Sequence, residues 1–131
     1  MIDVSEVIKK IKENPKIKFK GTIKSQSDDD FGNPKEVIVY MNEINGVVVY
    51  QELEPIKRYR HEPFVIDKDT MNAQFEVYQE EISLGAAIQL FSEGYEVRAV
   101  SSNRGIIFGP DTQLIYTARE LSCFKFYTYF R

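Results

Sequence analysis

The sequence predicts an α+β fold: a mainly antiparallel sheet with two helices packed on it. Three observations predict it. Apolar residues recur at helical spacing in two places, Val4 to Ile11 and Leu84 to Phe91. Much of the remaining chain alternates apolar and polar residues at the period of a strand. Turn residues such as Asn45-Gly46 and Gly109-Pro110-Asp111 stand between the alternating runs.

The first helix has its stripe in Val4, Val7, Ile8 and Ile11, at i, i+3, i+4 and i+7. Asp3 is placed to cap it, Glu6 to bond back as in a capping box, and Ile2 with Val7 to form a hydrophobic staple. Asn14-Pro15 ends it, because the residue before proline avoids the α region. Ile17, Phe19, Gly21 and Ile23 then alternate with Lys16, Lys18, Lys20 and Thr22, a half-buried strand with a basic outer face. Residues 25–34 read as a loop, and Val37 to Tyr40 with Val47 to Tyr50 as a hairpin turning at Asn45-Gly46. Residues 54–63 cross the surface; Phe64 to Ile66 and Phe75 to Val77 read as short strands.

Ser83 caps a second helix whose stripe is Leu84, Ala87, Ile88 and Phe91, with Gly94 as its terminator. Strands are expected at Tyr95 to Ser101, Gly105 to Phe108 and Gln113 to Thr117, followed by a core strand at Phe124 to Phe130 with Lys125, Tyr127, Tyr129 and Arg131 outward. The chain reads as a single domain of 131 residues. Within it, Val4, Ile8, Ile11, Glu13, Ile17 and Lys18 align without gaps on Leu84, Ile88, Phe91, Glu93, Val97 and Arg98. Residues 1–80 and 81–131 can therefore be read as two similar α-β-β-β lobes. Ordinary amphipathic patterning accounts for the echo equally well.

Net charge is −3, but charge is segregated. Residues 1–27 hold seven Lys and three acids, residues 62–96 eight acids and one Lys, and residues 97–131 four Arg and one Lys against two acids. Such faces suit a charged partner, while a net acidic chain is a poor general nucleic-acid binder. The single cysteine, Cys123, excludes an internal disulfide. The N-terminus lacks a basic n-region and an apolar h-region, and no apolar run is long enough to cross a bilayer. The expected location is the cytoplasm.

No reaction class finds its groups. Metal sites need clustered His, Cys or carboxylates, and the chain has one His and one Cys. Asp28, Asp29 and Asp30 lack the spacing of a calcium loop. Cys123 with His61 is the sole Cys–His pair, and no nucleophile elbow, P-loop or dinucleotide fingerprint occurs. A carboxylate-pair enzyme has acids enough but no spacing that favours it. Neither cofactor nor metal is expected. The acids Asp67, Asp69, Glu76, Glu80 and Glu81, with Asp28 to Asp30, are the candidate partner contacts, able to imitate phosphates inside a basic channel.

The segment Leu84-Gly85-Ala86-Ala87-Ile88-Gln89-Leu90-Phe91-Ser92-Glu93-Gly94-Tyr95-Glu96-Val97-Arg98 resembles the opening of a small phage-encoded domain family, and Glu120-Leu121-Ser122 before an aromatic strand is similar to its ending. That family includes sponges for the Thoeris nucleotide signal and some anti-CRISPR proteins. The match covers residues 83–131, and Ser102-Asn103-Arg104 stands where the family has Trp-Asn-Gly. The resemblance implies a phage or mobile-element protein that counters host defence. The leading expectation is an inhibitor that binds a host defence protein, such as a CRISPR nuclease, without turnover. The alternative is a nucleotide sponge using Asn103, Arg104, Tyr127 and Tyr129. The outward tyrosines of the last strand also suit homo-oligomerisation.

Overall fold

The computed structural model describes residues 1–24, 34–53, 62–101, 104–109 and 118–130. The chain divides into two compact units, Met1–Tyr78 and Gln79–Arg131. The fold is α+β, and among the described residues every strand pairing is antiparallel. Its strands form two sheets rather than the one expected, and among the described residues two short helices join the two expected.

The N-terminal unit opens with α1 (Val4–Glu13). The Asp3 carboxylate accepts the Glu6 N–H at 3.0 Å, so Glu6 contributes its backbone to the cap. Asn14 leaves the helix in extended backbone, as Pro15 requires. Val4, Val7 and Ile11 are buried and Ile8 is half-buried. Ile2, read as a staple, exchanges two backbone hydrogen bonds with Phe75, at 2.8 and 2.7 Å.

A five-stranded sheet follows, from β1 (Phe19–Lys24), β2 (Pro34–Asn42), β3 (Val47–Glu52), β4 (Glu62–Pro63) and β5 (Phe75–Val77), in the order β4-β3-β2-β1-β5. Along β1, Phe19, Gly21 and Ile23 are buried, and Lys20, Thr22 and Lys24 point to the other face. The β2–β3 hairpin turns through residues 43–46, not through Asn45-Gly46 alone, since Asn42 pairs with Val47. Asparagine side chains decide this. Asn42 Oδ1 accepts Ile44 N–H at 3.0 Å, Asn45 Oδ1 accepts Val47 N–H at 3.1 Å, and Gly46 closes the loop at φ 71°. The register sets buried Tyr50 opposite buried Val39. A two-residue turn would have set Glu52 there.

The strand expected at Phe64 to Ile66 lies earlier, at Glu62–Pro63, because the chain turns away after Phe64. It turns into α2 (Lys68–Met71), which the sequence reading lacked. A capping box makes α2: Asp67 accepts Asp69 and Thr70 N–H, and Thr70 Oγ1 accepts Asp67 N–H at 2.8 Å. Thr70 is 1% exposed, its hydroxyl satisfied within that turn. Tyr50, Phe64 and Phe75 form a chain of edge-on rings.

Gly21 is where β1 and β5 meet most tightly. A Cβ there would collide with the Phe75 ring and stand 2.8 Å from the Gln74 carbonyl oxygen.

The C-terminal unit contains β6 (Glu81–Ile82), α3 (Leu84–Ser92), β7 (Val97–Ser101), β8 (Arg104–Phe108), α4 (Ala118–Leu121) and β9 (Lys125–Thr128). Its sheet runs β6-β9-β7-β8. Ser83 Oγ accepts Ala86 N–H at 3.1 Å, and α3 ends in a Schellman turn: Tyr95 N–H reaches Leu90 O at 3.0 Å and Gly94 N–H reaches Phe91 O at 3.1 Å, with Gly94 at φ 92°. The core is Ala87, Val97, Ala99, Phe108 and Phe126, with Leu84, Leu90 and Phe91 packed on it. The strand expected at Gln113 to Thr117 lies outside the described residues. Both units place a helix before an antiparallel strand pair. Among the described residues the next strand differs: β3 pairs with β2, whereas β9 pairs with β7.

Gly21→Ala should lower unfolding free energy by about 1–3 kcal/mol in urea titrations, because ring and carbonyl must both retreat. Asp67→Ala should cost about 1 kcal/mol through loss of the cap.

Candidate functional site

Alternation along β1 sends Lys20 to the outer face of the N-terminal sheet, and the strands on either side bring it two carboxylates. Glu76 is its register partner on β5, and Glu36 its diagonal neighbour on β2. Lys20 Nζ lies 3.4 Å from Glu76 Oε1 and 3.6 Å from Glu36 Oε1. The two carboxylate side chains are 53% and 50% exposed, so the triad is a solvated salt bridge. Beside it runs an open polar groove of about 320 Å³, bordered by Met1, Thr22 and Gln74 as well as the triad. Further along the face Lys24 meets Asp69 at 3.5 Å, and Lys18 lies over the Tyr40 ring at 5.0 Å. The basic stripe read from the sequence is thus matched by acids and an aromatic.

The acids named as partner contacts are dispersed in role. Asp67 caps α2, Asp69 pairs with Lys24, and Glu76 pairs with Lys20. Glu80 and Glu81 belong to the C-terminal unit. There Glu80 N–H donates to Thr128 Oγ1 at 2.9 Å, and Glu81 stands opposite Tyr127. Asp28, Asp29, Asp30, His61 and Asn103 lie outside the described residues. Arg104 begins β8 opposite Ser101, and Tyr129 follows β9. Cys123 is exposed near the Arg119 carbonyl. Glu36 was not singled out from the sequence; only β2 register brings it to Lys20.

Glu36 and Glu76 both reach Lys20, which stands between them, and both side chains are about half exposed. The described residues hold no cluster of three or more metal-ligating side chains and no helix long and apolar enough to cross a membrane. In the C-terminal unit an apolar depression between Leu84, Ile88, Phe91 and Leu121 has room for about 20 Å³, the space of one water, where a nucleotide needs hundreds.

No protein-family model, curated protein or solved structure matches this chain.

Lys20→Ala should change stability by no more than about 1 kcal/mol, as exposed ion pairs do. Thermal unfolding of the variant beside the parent chain checks it.

Proposed function

We propose that this chain is a binding protein that blocks a host defence protein by direct contact, acting by occupancy rather than by turnover. The observation that supports it is the groove beside Lys20, where two half-exposed carboxylates are held in place by strand register. A cationic side chain from a partner can take the place of Lys20 between Glu36 and Glu76. Glu36, Glu76 and Asp69 are each paired with a lysine of β1, so a basic partner surface competes with Lys20 and Lys24 for these three carboxylates. Held carboxylates give specificity and rapid encounter more than raw affinity.

The class of partner follows from the resemblance of residues 83–131 to phage counter-defence proteins. A nucleic-acid-guided nuclease has a positively charged channel that suits an acidic occupant. In this reading the protein is a phage or mobile-element accessory acting in the bacterial cytoplasm. The sponge alternative draws on Asn103, Arg104, Tyr127 and Tyr129; of these, Tyr127 stands opposite Arg98 in the C-terminal sheet, an aromatic next to a cation.

The experiment is co-expression with CRISPR nucleases in a bacterial host, followed by co-purification and a cleavage assay. The parent chain should co-purify with a nuclease and inhibit it. Glu36→Lys with Glu76→Lys should weaken inhibition at least about tenfold while leaving the melting temperature within a few degrees. Inhibition that survives the double reversal refutes the proposed surface. Absence of any defence-protein partner, with a melting-temperature rise on adding a cyclic or ADP-ribose-like nucleotide, replaces this reading with the sponge.

A further inference from the structure

One row across the C-terminal sheet carries its own complement. Register places Glu81 on β6, Tyr127 on β9, Arg98 on β7 and Ile107 on β8 side by side. All four lie on the face opposite the core, since their strand neighbours Phe126, Val97, Ala99 and Phe108 are buried. Glu81, Arg98 and Ile107 are exposed there and Tyr127 is half-buried. Arg98 is held in position: its Nη1 donates to Gln79 Oε1 at 3.0 Å.

An acid and a base stand one strand to either side of an aromatic. A two-fold axis along β9 through Tyr127 exchanges the two sides. Glu81 of one copy then faces Arg98 of the other, twice, with the tyrosines stacked at the centre. Face-packed sheets lie about 10 Å apart, a gap that facing Glu and Arg side chains can span. We infer that this face binds a second copy of the same chain in an isologous, weak dimer. The area argues for weakness. Four strands of two to five residues at about 4.8 Å spacing give roughly 260 Å² per copy, well below that of a permanent interface. Lys125, the exposed cation of β9, lies on the same axis and meets its own copy, a like-charge contact that loosens the pair.

The inference is independent of the partner proposed above, because it uses the other unit and other residues. Sedimentation equilibrium over a concentration series into the high micromolar range tests it. The parent chain should show a monomer–dimer equilibrium. Glu81→Arg and Arg98→Glu should each weaken it about tenfold, and the two combined should restore it. Lys125→Ala should tighten it. A chain monomeric at every concentration overturns the inference, as does a dimer that ignores the charge swaps. Neither result bears on nuclease inhibition, which is measured separately.

Discussion

The ring of Phe75 rests against Gly21 with no room for a methyl group between, and much of the N-terminal unit follows from that contact. It fixes the register of β5 on β1, since Gly21 and Phe75 are cross-strand partners. Once that pair is set, Glu76 must stand beside Lys20, and the backbone of Phe75 is presented to Ile2. The same ring meets Phe64, which meets Tyr50. A buried aromatic on a side-chain-free position thus joins β1, the short edge strands and the N-terminus. It also positions one of the two carboxylates of the polar groove.

The charged face and the core contribute differently. Inward residues of β1 join the buried side chains of α1, β2, β3 and β5 out of water, and this burial supplies the driving force. The outward salt bridges stay wet, and wet pairs add little to stability. Their contribution is geometric. Lys20 and Lys24 of β1, and Lys18 just before it, each have a counterpart, so charge along the face is paired.

Elements with a period were legible in the sequence. The stripe of α1, the caps at Asp3 and Ser83, and the alternation of β1 and β9 appear where spacing placed them; in α3, Leu84, Ala87 and Phe91 face the core as expected, but Ile88 is exposed and Leu90 packs inward in its place. Elements too short to show a period were not: α2 and α4 have four residues each and β6 has two. For α2 the readable signal was the Asp67–Thr70 capping pair, a local hydrogen-bond motif without an apolar stripe. The hairpin was legible, but its loop length was not, because the side chains of Asn42 and Asn45 competed with the Asn-Gly turn. Of the site, Glu76 was legible as part of an acidic block. Its pairing with Lys20 was not, since spacing along the chain carries no information on which strand lies next to which.

The borders of the five-stranded sheet have a further consequence. At one border β4 has two residues and ends in Pro63, which has no N–H to offer, and Glu62 accepts the Tyr50 hydroxyl at 3.0 Å. At the other, β5 is capped by the backbone of Ile2. A neighbouring chain that tried to extend this sheet by adding a strand would find a proline on one side and an occupied rim on the other. The N-terminal unit is thereby guarded against fibre-like growth at both edges, even though its strands are rich in β-branched residues.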